Sequence, residues 1–404
     1  MAANGVLQDL RVLDFAWWLA GPMVGKCLAQ HGAEVIRVET EAYPDLLRQL
    51  LFQDNEPGLN RSVAFANYND GKLGITLNVN HPKGVELAKR LIEISDVVIE
   101  SFTPRAMRKW GLDYESLCQV KPDIIMLSSC MQGQTGPFAI SPGNGAILPA
   151  LAGISELTGW PDRAPTGVGG PYTDFTSGPM GAAAILSALI HRKHTGEGQY
   201  IDLSQNEAGM HFVGTTYLEY TANGRVPTRQ GSRRDGFAPH GVFPCRCDDT
   251  WCTIAVRTED EWQALCRAMG QPAWAQAPEF ATRAAREQHA EALETHVSAW
   301  TARQTPQAVL DCLQTAGVPS GMVLNAAALA SDPQLKHRQH YVTLQHPDIG
   351  DNVVDQFGFR LSKTPCSPQR PAPQMGQHNA YVFGELLGMS KAAISKLQEE
   401  GIIA

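Results

Sequence analysis

Short blocks of β-branched and other apolar residues recur through the first half of the chain at helix-length intervals: RVLDF (11–15), EVIRV (34–38), DVVIE (96–100), DIIMLS (123–128) and QYIDL (199–203). Apolar blocks in that rhythm predict a parallel sheet covered by helices. The intervening AGPMVGKCLAQHG and HPKGVELAKRLIEI read as two of those helices. Pro22 and Pro82 fall in their first turns, where the N–H that proline lacks would have no partner anyway. Gly32 closes the first of them, as a C-terminal glycine does. Residues 1–222 therefore read as a doubly wound, Rossmann-like α/β domain.

The pattern changes after Tyr217. NGRVPTRQGSRRDGFAPHG (223–241) has no sustained apolar period and reads as linker and loop. GVFPCRCDDTWCTIAV predicts a hairpin turning at Asp248 and Asp249, and TEDEWQALCRAMG and TPQAVLDCLQTAG predict helices, making 223–329 a smaller α+β unit. From 330 the chain offers DPQLKHRQH, short strands and a closing helical pair, GQHNAYVFGELLGM and SKAAISKLQEEGI. A long N-terminal half and a short C-terminal piece flank a compact middle, so 330–404 is expected to return to the first domain.

Composition narrows the class. The 404 residues exceed one ordinary core, and 43% hydrophobic with 18% charged residues fits a globular chain. No run of about 18 uncharged apolar residues marks a membrane span, and no export signal opens the chain. Nine cysteines at scattered spacings fit a reducing compartment, so a cytoplasmic location is expected. A net charge of -8 offers no general attraction to nucleic acid or acidic membranes, and an anionic ligand must be held by a local basic cluster.

Familiar motifs are missing. The first strand–helix joint, AWWLAGP, lacks the G-x-G-x-x-G that wraps a pyrophosphate, and there is no phosphate loop or G-x-S-x-G elbow. Cys245, Cys247 and Cys252 have no matching second pair and read as buried hairpin thiols rather than a metal site. His191 and His194 flank Arg192 and Lys193 at a helix end, where cations favour the dipole. What remains is Asp174, placed among glycines ahead of the apolar stretch GPMGAAAILSALI. On the residues alone it reads equally as a helix cap and as a nucleophile.

The ordered blocks LRVLDF, AGP, LAQHGAEVIRVE, the D-x-x-R of Asp45 to Arg48, NYNDGKLGITL, DVVIESFTP, KWGLDYESL, DFTSGPMGAAAILSALIHRKHTGEGQYIDLSQNEA and APQMGQHNAYVFGELLG span nearly the whole chain. In that order they resemble the class III (CaiB/BaiF-type) coenzyme A transferases, which include formyl-, carnitine- and benzylsuccinate-CoA transferases and the related α-methylacyl-CoA racemases. The resemblance implies a Rossmann-like large domain built from both chain ends, a small middle domain, and an interlocked homodimer or a heterodimer with a homologous subunit. It places the catalytic aspartate at Asp174. It implies aspartyl-CoA thioester chemistry with no metal and no permanently bound cofactor, CoA and acyl-CoA entering as substrates alongside a carboxylic acid.

By the same resemblance Trp18, Lys72, Phe102 and Lys109 match positions lining the CoA site, and Arg48 and Arg108 are expected phosphate partners. The chain departs from formyl-CoA transferase at Thr40, where an adenine-stacking arginine is expected, at Ser101 in place of asparagine, and at Leu19 in place of glutamine. Trp17, Trp18 and Leu19 make the mouth apolar, reading equally as core packing and as substrate contact. An apolar mouth, with Arg233 and Arg234 facing a second carboxylate, favours succinyl-CoA as donor and a substituted succinate such as benzylsuccinate as acceptor. Two alternatives stand beside this: a racemase or isomerase, which would need a histidine in SPGNGAI where Gly143 and Asn144 stand, and a noncatalytic subunit, for which an intact Asp174 has no use.

Overall fold

The computed structural model describes residues 5–366 and 368–403. The chain divides into two compact units: residues 1–155, 167–227 and 336–404 form the larger, and 156–166 with 228–335 the smaller. The expected boundaries after 222 and 329 fall a few residues early, and the short excursion 156–166 has no counterpart in the sequence reading.

The larger unit is built on a six-stranded sheet in the order β3-β2-β1-β4-β5-β6. Its strands are β1 (Arg11–Asp14), β2 (Glu34–Glu39), β3 (Leu73–Thr76), β4 (Val97–Glu100), β5 (Ile125–Cys130) and β6 (Tyr200–Ser204), all paired in parallel. Successive residues serve opposite faces, as the strand period demands. Leu13, Ile36, Val98 and Met126 join a core with Leu87 and Leu91 of the helix Pro82–Glu93. Val12, Val35, Val97 and Ile125 join another with Val24, Ala182 and Ile185. That two-sided burial is why these strands carry no polar alternation.

β3 is the strand the apolar rhythm does not reveal, because LGIT is short and carries Gly74. A Cβ at 74 would lie 2.7 Å from Pro373 Cβ. Gly74 N–H donates to His378 Nδ1 at 3.0 Å, and Thr76 N–H to Asn379 Oδ1 at 2.9 Å. The C-terminal segment thus covers the edge strand, which would otherwise offer open pairing groups. Tyr341–His346 (β10) and Gly350–Asp355 (β11) form an antiparallel hairpin in the same unit. Ala380–Leu386 of the closing pair is a wide π-type turn rather than an ordinary helix.

In the smaller unit β7 (His240–Pro244), β8 (Trp251–Ala255) and β9 (Ser320–Met322) form an antiparallel sheet packed with helices around Trp262, Phe280 and Leu313. The expected hairpin turns at 245–250, with Asp249 at φ 45°. Cys245 and Cys252 are buried there, but Cys247 is exposed.

Candidate active site

The strand order reverses between β1 and β4, and ligands of open α/β sheets bind beyond the strand C-termini at such a point. There lies a cavity of about 200 Å³ lined by Phe15 and Trp17 after β1, Thr40 and Tyr43 after β2, and Phe102 and Trp110 beyond β4. Its wall is aromatic: Trp17 meets Phe102 edge-on at 5.8 Å between centroids, and Phe102 meets Trp110 at 5.3 Å. Trp110 is oriented by its Nε1–H, which donates to Asn80 Oδ1 at 3.0 Å. Thr40 contributes no cation, so any base held here would be held by aromatic faces.

The loop carrying Trp17 and Trp18 is fixed through its backbone. Ala16 N–H donates to Asp14 Oδ1 at 2.9 Å, and the Ala16 carbonyl accepts from Arg37. Trp17 N–H donates to Ser101 Oγ at 2.8 Å, and that hydroxyl donates to the Trp17 carbonyl at 3.2 Å. Trp18 N–H donates to Asp45 Oδ1 at 3.2 Å. These anchors hold Trp18 at φ 61°, a conformation a bulky residue adopts only when its surroundings impose it. The indole stays 47% exposed, while Leu19 is buried and packs in the core.

Burial corrects two residues expected at the CoA site, Lys72 as a lining residue and Arg48 as a phosphate partner. Lys72 is fully enclosed, and its ammonium gives its protons to Asp14 Oδ2 at 2.8 Å, the Pro22 carbonyl at 2.9 Å and Asn69 Oδ1 at 2.9 Å. Burial pulls it down to about 8 despite Asp14. Arg48, 1% exposed, grips Glu39 with both arms (2.9 and 2.8 Å), donates to the Pro373 carbonyl and Asn60, and lies 3.6 Å from the Phe65 ring centroid. Neither head group is presented to solvent; both brace the strand ends. Arg108 and Lys109 are exposed in the last turn of the helix Pro104–Trp110, with Phe102 half-buried just before it.

Asp174 lies in the helix Tyr172–Thr195, which runs antiparallel to the strands and begins at their C-terminal end. Gly178 and Gly181 let this helix press on its neighbour Ala20–Gln30: a Cβ at either would come 2.8 Å from Met23 Cβ or Val24 Cγ2. The helix starts earlier than the sequence indicates. Pro171 occupies the cap position, and Asp174 sits inside the first turn with no capping bond. The cap reading is therefore corrected.

Asp174 as a residue is 8% exposed, and among the described residues no hydrogen bond or ion pair reaches its carboxylate. The helix N-terminus favours an anion, yet burial dominates and pushes this carboxyl up to about 7. Gly145, which sequence reasoning did not single out, faces it directly: a Cβ there would stand 2.5 Å from Oδ2.

Arg233 and Arg234 belong to the smaller unit. Arg233 is held bidentate by Glu294 at 2.7 and 2.8 Å, and Arg234 lies over the Phe237 ring at 5.8 Å. Arg233 therefore already has a carboxylate partner. Among the described residues no cluster of three or more His, Cys, Asp or Glu could hold a metal ion, and no helix is long and apolar enough to cross a membrane.

A Rossmann-type sheet with an aromatic slot at its switch point and a buried, donor-free carboxylate at the same end defines an α/β protein with a ligand site beyond its strand C-termini. The chain belongs to CoA-transferase family III, whose profile matches residues 7–379. It is 34% identical over 397 residues to a succinyl-CoA–D-citramalate CoA-transferase of Chloroflexus aurantiacus, covering 98% of both chains. It is 33% identical over 390 residues to a succinate–glutarate CoA-transferase of Agrobacterium fabrum, covering 96% of this chain and 97% of that one. A solved structure of a CaiB/BaiF family protein from Brucella suis aligns with a TM-score of 0.87 at 32% identity, over 95% of this chain and 100% of that one.

Proposed function

We propose that this CoA-transferase moves CoA from succinyl-CoA to a second short dicarboxylate through covalent intermediates on Asp174. The observation that carries the reading is the Asp174 carboxylate itself, buried and free of donors at the strand C-termini. A carboxylate stripped of hydrogen-bonding partners is a stronger nucleophile than a solvated one. Asp174 attacks the thioester carbonyl and expels the CoA thiolate, leaving a mixed anhydride. The thiolate attacks the aspartyl carbonyl, releasing succinate and leaving an aspartyl-CoA thioester. The acceptor carboxylate attacks that thioester, the thiolate leaves again and then attacks the acceptor's acyl carbonyl, and Asp174 is restored. No water is consumed, and the chemistry needs no resident cofactor.

The C. aurantiacus and A. fabrum relatives act on citramalate and glutarate by name, which supports a short dicarboxylate in place of the aryl-substituted succinate expected from the apolar mouth. The aromatic slot suits the adenine of CoA. Exposed Arg108 and Lys109, on the helix that follows Phe102, suit its phosphates. Replacing both by alanine is expected to raise KM for succinyl-CoA about 10-fold or more and leave kcat nearly unchanged, because phosphate contacts act alike in ground and transition states. Steady-state kinetics at fixed acceptor checks this, and an unchanged KM removes the pair from the CoA site.

The racemase reading loses support here: what faces Asp174 across the loop is the CH₂ of Gly145, which can neither give nor take a proton. Tyr217, Leu218 and Tyr220, exposed along the helix Gly214–Asn223, support a second chain covering them, and an interlocked dimer remains our proposal for the assembly. We keep the cytoplasmic assignment drawn from cysteine usage. The deciding experiment is incubation with succinyl-CoA, trapping with hydroxylamine or borohydride, and peptide mass mapping. A modification on Asp174 carries the reading; an unmodified Asp174 with acyl-CoA still bound returns the chain to the isomerase or noncatalytic-subunit readings.

A further inference from the structure

Gly145 is a glycine that its backbone does not require. It is absent from the positive-φ glycines, unlike its loop neighbours Gly136 and Gly153. Space is what requires it. A Cβ built at 145 would lie 2.5 Å from Asp174 Oδ2, 2.7 Å from Oδ1 and 2.7 Å from Pro171 Cβ. Gly143, in the same loop, is a useful contrast: its Cβ would meet the ends of Met131 and Ile147, at 2.4 and 2.6 Å, which can swing away without touching Asp174, whereas at 145 the obstacles are the Asp174 carboxylate itself and the rigid Pro171 ring. The loop tip is folded by Asn144, whose Oδ1 accepts from Ala146 N–H at 3.0 Å and whose carbonyl accepts from Ile147 N–H at 3.1 Å.

We propose that Gly145 is the positioning residue of the nucleophile: lacking a side chain, it lets the loop 143–147 close directly onto the Asp174 carboxylate, holding it in one orientation and away from water. The proposal rests on the reading of Asp174 as nucleophile. Two chemical consequences follow. The carboxylate meets the thioester unsolvated, and the anhydride and aspartyl thioester formed on it are shielded from hydrolysis. Burial is what raises the Asp174 carboxyl, and no charged group contributes. On the elements packed nearby, Lys26 of the helix Ala20–Gln30 is spent on the Asn67 carbonyl and Asp355, and Glu207 of the helix Gln205–Met210 is exposed. Arg192, Lys193 and His194 stand in the last turn of the helix that Asp174 begins.

The test is the exchange of labelled succinate with succinyl-CoA, which needs no knowledge of the second acceptor, measured from pH 4.5 to 9 for the wild type, Gly145→Ala, Asn144→Ala and Gly143→Ala, each with a thermal melt. In the wild type the exchange is expected to rise with a midpoint near 7. Gly145→Ala is expected to lower that midpoint by about two pH units, as the displaced carboxylate regains water. It is also expected to cut the maximal rate about 10- to 100-fold while KM for succinyl-CoA changes less than about threefold. Asn144→Ala adds no atoms, loosens the loop tip and is expected to move the midpoint the same way by less. Gly143→Ala, which presses on Met131 and Ile147 and not on Asp174, is expected to move the midpoint less than Gly145→Ala does. A folded Gly145→Ala with the wild-type midpoint and rate overturns the proposal; should that variant fail to fold, an unmoved midpoint in Asn144→Ala overturns it instead. Failure of the nucleophile reading looks different, since the wild type would then carry no trapped adduct on Asp174.

Discussion

Asp174→Asn is expected to lose transferase activity by about 10⁴-fold or more while gaining roughly 2–4 kcal/mol of folding stability at pH 8. The activity loss follows from the proposed role of Asp174, whose carboxylate oxygen would form the covalent bond. The stability gain follows from the sign of the carboxyl's shift. In the folded chain it titrates near 7, against an ordinary value of 3.8. Between those values the folded state holds a proton that the unfolded state has released, so stability falls as pH rises and the deficit is complete above about 7. Asparagine never ionises, and the variant escapes that penalty. Denaturant unfolding of both proteins at pH 5 and pH 8 checks it: the gap between variant and wild type should widen with pH. A gap independent of pH would show that the carboxylate is not buried at a cost, and the reading of a desolvated nucleophile would fall with it.

The second large effect lies underneath the mouth. Lys72→Met is expected to destabilise the protein by about 3–5 kcal/mol, because it leaves Asp14 buried without its ammonium partner. Asp14 also holds Ala16 N–H, and Lys72 holds the Pro22 carbonyl, so the variant should loosen the first strand–helix joint as well. The double variant Asp14→Leu/Lys72→Met removes both charges and should recover much of the loss. A double-mutant cycle on denaturant midpoints reads the coupling directly. If Lys72→Met unfolds at the wild-type midpoint, the lysine is not bracing the fold and its assignment to the CoA site reopens.

The contrast between these two residues shows where sequence legibility stops. The sheet was readable because two-faced burial leaves uninterrupted apolar blocks, and only β3 escaped, its glycine being demanded by Pro373 from the far end of the chain. Lys72 and Arg48 were misread because residue type says nothing of burial. A lysine or arginine is usually solvated, and only the convergence of Asp14 and the Pro22 carbonyl on Lys72, and of Glu39 and the Pro373 carbonyl on Arg48, shows these two enclosed. Asp174 was singled out through family resemblance; its local sequence left capping open, and one turn of helix begun early at Tyr172 closes that option. Gly145 carried no signal beyond a glycine in a glycine-rich loop, since its meaning comes from a carboxylate some thirty positions on.

The backbone of residues 16–18 is gripped by Asp14, Arg37, Asp45 and Ser101, none of which depends on what the side chains at 17 and 18 are. Shape and chemistry at the mouth are thereby separated. Frame and lining are independent, so substitutions at 17 and 18 can change what the slot holds while the polypeptide path stays where it is. Such a mouth can be relined by single codon changes without first passing through an unfolded ancestor.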